Sequence, residues 1–110
     1  MGYDEQMAER IRAALANRDD VGERKMMGGL VFMVAGHMAC GARRDGSLLA
    51  RVGPDEMDTA LDEPGVEPMV MRDRVMKGYV FVDGAHVADD DALRAWVARC
   101  VAFVQTLPPK

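Results

Sequence analysis

Between Glu23 and Val52 the chain reads ERKMMGGLVFMVAGHMACGARRDGSLLARV. Short apolar and β-branched stretches are punctuated by Gly28-Gly29, Ala35-Gly36 and Asp45-Gly46, the pattern of antiparallel strands joined by tight turns. Asp45-Gly46, set between Ala42-Arg43 and Leu48-Leu49, predicts a hairpin, because a type I′ turn needs positive φ at both central positions. Gly36-His37 predicts another tight turn. Gly28-Gly29 lacks the wider glycine spacing of a phosphate loop and is not obviously followed by a helix, so it reads as a bend or bulge between strands.

On either side of this stretch the periodicity changes. Asp4 to Arg18 carries Met7, Ile11 and Leu15 at a spacing of four, with charged residues elsewhere, which predicts an amphipathic helix capped by Asp4 and stopped over Asn17 to Gly22. After Val52, Gly53-Pro54 and the acids Asp55 and Glu56 predict a short second helix ending at Pro64-Gly65. Glu67 to Arg72 and Val75 to Asp83 read as two strands joined at Asp73-Arg74. Asp89-Asp90-Asp91 then opens a last helix whose stripe is Leu93, Trp96, Val97, Cys100, Val101 and Val104, closed by Leu107-Pro108-Pro109. The predicted fold class is α+β: one domain over residues 1–110, an antiparallel sheet with an N-terminal, a short middle and a C-terminal helix, in the order α-β(3-4)-α-β(2)-α.

The bulk composition fits one core. With 110 residues, 49% hydrophobic and 29% charged, the chain has apolar surface enough to fold alone. Aromatic residues are few and methionines number 10, so flexible thioethers fill irregular gaps. Met26, Met27, Met33, Met38, Met69, Met71 and Met76 fall in strand-like stretches, where core filling is preferred over a binding groove. The chain opens without a basic start, its longest apolar run is Leu30 to Ala35, and Gln6 breaks a myristoylation signal; a soluble cytoplasmic protein without membrane span or signal peptide is expected.

Chemistry-bearing residues are sparse. Cys40 and Cys100 are too few for a disulfide framework and read as reduced, buried thiols. His37 and Cys40, three apart on a strand, are expected on opposite faces and so cannot share an ion. His86 lies near Asp83 and Asp89 to Asp91, a cluster read as a solvated loop with helix-capping aspartates rather than a cation site. No third group orients a Cys-His pair, so no catalytic residue, cofactor or metal is predicted. Residues 21–53 carry a local charge of +3 and residues 54–91 one of −8, a dipolar surface suited to a protein partner. A net charge of −4, the lack of a helix bearing a row of cations and the few aromatics argue against direct nucleic-acid binding.

Lys25-Met26-Met27-Gly28-Gly29-Leu30-Val31-Phe32-Met33 resembles the signature of the TfoX N-terminal domain family, with Met27 where phenylalanine is usual. Arg51-Val52-Gly53-Pro54 resembles that family's strand-to-helix junction, and Met76-Lys77-Gly78-Tyr79-Val80-Phe81-Val82 its second signature strand. Ala102-Phe103 and Leu107-Pro108-Pro109-Lys110 are similar to the close of small stand-alone members. The resemblance implies a secretion-chaperone-like arrangement of sheet and helices. It singles out Lys25, Met26, Gly28, Gly29, Arg51, Gly53, Lys77 and Gly78 as signature or binding positions. The best understood relatives carry a second, C-terminal domain and co-regulate competence genes with the cyclic-AMP receptor protein; this chain ends where that domain would begin.

Three functions follow as expectations. The first is a non-enzymatic regulatory or protein-binding module of a bacterial cytoplasm, linked to transcription or competence through a protein partner. The second is a small-anion binder or enzyme using Lys25, Arg51 or Lys77 near the Gly53-Pro54 helix start. The third is a chaperone-like homodimer, by fold analogy alone.

Overall fold

The computed structural model describes residues 2–26 and 28–108. Met27, Pro109 and Lys110, which belong to the quoted motifs, lie outside the described residues. The elements in chain order are α1 (Glu5–Ala14), β1 (Val21–Met26), β2 (Gly29–Val34), β3 (His37–Arg43), β4 (Leu48–Arg51), α2 (Met57–Leu61), β5 (Val66–Met71), β6 (Arg74–Val82), a 3-10 turn (Gly84–Val87) and α3 (Asp90–Val104). The class is α+β, and the helix and strand order follows the sequence expectation.

The six strands form one antiparallel sheet in the order β1-β2-β3-β4-β6-β5. The first four make a meander; α2 then carries the chain across so that β6 pairs with β4 and β5 becomes an edge. Both edges are protected in the usual manner, β1 by exposed Glu23, Arg24 and Lys25 and β5 by Pro68.

Helices α1 and α3 pack together over β3 on one face. Their stripes, Met7, Ala8 and Ile11 from α1 and Leu93, Trp96, Val97, Cys100 and Val104 from α3, meet Phe32, Val34, Cys40, Leu48, Ala50, Val80 and Val82 from the sheet. Asp4 caps α1, its Oδ1 accepting from the Met7 amide at 2.9 Å, and Asp89 caps α3 on the Asp91 amide at 2.8 Å. Arg10 fastens α1 to the start of α3, donating to the carbonyls of Val87 (2.6 Å) and Ala88 (3.1 Å) and pairing with Asp90.

The turns depart from expectation by a residue. The β2–β3 turn centres on Ala35-Gly36, at φ +52° and +85°, rather than on Gly36-His37. The β5–β6 turn centres on Arg72-Asp73, at φ +52° and +64°, rather than on Asp73-Arg74. The β3–β4 turn is not type I′: only Gly46 has positive φ, the Gly46 amide donates to the Arg43 carbonyl, and the loop is a turn closed by a glycine bulge. α2 starts at Met57, so Pro54 lies in the preceding turn rather than in the helix.

Candidate functional site

Strand alternation gives the sheet a second apolar face. Val31, Leu49 and Met69 form a buried cluster there, with Met33, Met38, Met76, Tyr79 and Phe81 packed on it, and every member comes from a strand. Among the described residues no helical side chain contributes, so the sheet's own long side chains cover the floor. The methionines expected in the core thus divide: Met69 is buried here, Met33, Met38 and Met76 are half-buried here, and Met26 and Met71 are exposed.

Cations flank this face. The Arg43 guanidinium lies 3.5 Å from the Phe81 ring centroid. Arg51 lies 5.2 Å from Tyr79 and 5.3 Å from Phe103, and donates to the Met38 carbonyl at 3.2 Å. Arg24, paired opposite Val31 in the register, is exposed, as is Lys77. Glu67, opposite Phe81, places an acid on this face.

The signature residues fall into two separate groups. Lys25, Met26, Gly28 and Gly29 form the β1–β2 hairpin at one end of the sheet. Arg51, Gly53, Lys77 and Gly78 sit at the other end, where the amides of Val52 and Gly53 donate to the Gly78 carbonyl at 2.9 and 3.1 Å. Both groups answer backbone demands: a β-carbon on Gly29 would lie 2.3 Å from the Ala42 oxygen, and one on Gly53 would lie 2.3 Å from the Phe103 ring. Lys25 stands at one end of the sheet, and Arg51 and Lys77 stand at the other. The anion-holding trio is therefore not assembled in a pocket.

One polar concavity of about 380 Å³ is walled by Arg43, Asp45, Ser47, Glu67, Phe81 and Asp83. Three of its groups satisfy one another: Ser47 donates its hydroxyl and amide to Asp45 at 2.6 and 3.0 Å, which holds the Asp45 carboxyl below the usual aspartate range, and Arg43 donates to the Ser47 hydroxyl.

The expected separation of His37 and Cys40 is overturned by a bulge. Met33 pairs with Met38 but Phe32 pairs with Cys40, so Ala39 is an extra residue and His37 and Cys40 share the helical face. There His37 Nε2 lies 2.5 Å from the Pro108 carbonyl. Asp83 and Asp89 act as caps, on the amides of Ala85 and Asp91. Among the described residues no three His, Cys, Asp or Glu side chains come close enough together to hold a metal ion.

Sequence reasoning missed the methionine face itself. Its signal was the period-two spacing of Tyr79 and Phe81 opposite Leu49 and Arg51, obscured by shifts of register on either side.

The family model of the TfoX N-terminal domain matches residues 13–104. No curated protein and no solved structure matches the chain.

Proposed function

Since the chain belongs to the TfoX N-terminal domain family, we propose that it is a non-enzymatic regulatory module that docks an acidic, amphipathic segment of a protein partner on the helix-free face of its sheet. The observation that carries this is the gathering of Met33, Met38, Met69 and Met76 with Tyr79 and Phe81 on a face to which no helix contributes. Thioether side chains re-pack around apolar partners at little conformational cost, which suits a docking surface. Arg24 and Lys77 at its margin favour acidic flanks on the occupant, although the chain as a whole is net −4. Phe81, already stacked by Arg43, is not offered to a nucleobase. A role in competence or transcription in a bacterial cytoplasm then runs through the partner.

The test uses protein labelled at its methionine methyls and titrated with a synthetic helical peptide bearing a leucine stripe and glutamates. Saturable shifts at Met33, Met38 and Met76, with Met7 and Met57 still, support docking here. Shifts confined to Met7 and Met57, none at all, or tighter binding of a single-stranded oligonucleotide overturn it.

A further inference from the structure

Among the described residues, three of the four exposed large apolar side chains belong to one hairpin: Val70 is 50% exposed, Val75 58% and Met71 37%. The hairpin projects because its strands outrun the sheet. β4 pairs only with Tyr79 to Val82 of β6, so Arg74 to Lys77 run beyond it, with Arg74 and Val75 paired to Met71 and Val70 of β5. Around the Val70–Val75 pair stand exposed Arg72, Arg74 and Lys77, against one acid, Asp73. None of these three cations is in an ion pair among the described residues. An exposed apolar knob set in positive charge, on a chain of net −4, is a surface shaped for an acidic apolar recess.

The same molecule carries such a recess. A groove of about 470 Å³ runs between the end of α3 and the β4–α2 connection, its walls Val52, Gly53, Ala102 and Phe103, its rim Asp55 and Glu56. Two cations lie at the groove and both are engaged: Arg99, in its lining, pairs with Glu63 at 2.7 Å, and Arg51, 5.3 Å from the Phe103 ring, donates to the Met38 carbonyl. Knob and groove lie at the same end of the sheet: Gly78, where the projecting part of β6 begins, packs on Gly53 in the groove wall.

We propose that two copies of this chain associate about a two-fold axis at that end, each seating its β5–β6 hairpin tip in the groove of the other. Each copy has one knob and one groove, so the isologous pair satisfies both and closes at two subunits. The apolar contact is Val70 and Val75, which share one face of the hairpin, on Val52, Ala102 and Phe103; the polar rim pairs Arg72 and Arg74 with Asp55 and Glu56. The methionine face stays open in such a dimer, and the inference does not depend on what docks there.

Sedimentation velocity of the full chain at low salt, over a concentration series up to about 1 mM, tests this with Arg74→Glu and Glu56→Arg. Each substitution alone weakens the dimer by about tenfold or more. An equimolar mixture restores it, because the substituted tip then meets the substituted rim while the native tip and rim meet across the axis. Val75→Asp weakens association in every mixture and leaves the melting temperature nearly unchanged, since the side chain is already in water. A chain that stays monomeric throughout, a dimer indifferent to both charge changes, or a mixture that restores nothing overturns the proposal. Peptide-induced shifts at Met33 and Met38 that persist in the monomeric variants separate it from the sheet-face reading.

Discussion

The carbonyl oxygen of Ala42 lies 2.3 Å from the point where a β-carbon on Gly29 would stand. Both atoms are fixed by the β2–β3 ladder, so neither side can yield as a flexible side chain would. Gly28, beside it, has φ +74° but open space around its α-carbon. The two signature glycines are thus required for different reasons. Gly29→Ala is expected to cost about 3 kcal/mol or more, through forced displacement of a strand, and Gly28→Ala about 1–2 kcal/mol, through the left-handed backbone alone. Urea midpoints give the order; equal losses would show that the close approach is absent.

Trp96 anchors α3. It is 6% exposed, packs in the main core, and is stacked by Arg99 at 4.1 Å. Trp96→Ala should cost about 3–5 kcal/mol. A denaturation midpoint close to that of the parent would place the helix outside the cooperative core.

The β5–β6 turn has both central residues, Arg72 and Asp73, at positive φ, the conformation that Asn-Gly adopts with least strain. The double substitution Arg72→Asn, Asp73→Gly is expected to stabilise by about 0.5–1 kcal/mol. Both positions are exposed, so no packing contact is lost. A lowered melting temperature would argue against this turn.

Most of the fold was legible because its signals are local. Asp4 and Asp89 announce helix starts through their own side chains, and the stripe from Leu93 to Val104 has no competing reading as a strand. The turn centres were harder, since Ala35 and Arg72 occupy a conformation that neither residue type advertises. The face assignment was hardest. One extra residue, Ala39, moves His37 to the helical side, and a second shift between Pro68 and Val70 changes the alternation along β5 and β6. Arg43 and Phe81 come from strands that are not even neighbours in the sheet, and no short-range pattern predicts their stacking.

Arg12 on α1 donates Nε and Nη2 to the two carboxylate oxygens of Glu23 on β1, each at 2.7 Å. That bond pulls the Glu23 carboxyl below its ordinary 4.5. A carboxyl whose folded pKa is depressed adds stability above its unfolded pKa and loses it as pH falls through the folded value. Acidification from about pH 6 to about pH 3 should therefore lower the melting temperature less in Glu23→Gln than in the parent. The pair is solvent-exposed, so the difference is small and shrinks with added salt. An identical acid response in the two proteins would mean that the bond contributes nothing.

Cys40 on β3 and Cys100 on α3 are 1% and 0% exposed within the main core. Burial pushes both thiols up, Cys40 well above the ordinary range and Cys100 to about 12. The reactive species is the thiolate, so both are shielded twice, by access and by protonation. At about pH 8 a disulfide reagent should react with neither thiol in the native chain on the timescale of free cysteine, and with both once urea unfolds it. Slow native labelling then reports opening of the core, and when reclosing outpaces chemistry its rate follows the equilibrium population of the open form. Trp96→Ala, which loosens α3 from the sheet, should speed both thiols together because they lie in one cluster; Asp73→Gly, at an exposed turn, should not. A rapid native burst from either cysteine would place that thiol at the surface and reopen a nucleophilic role for it.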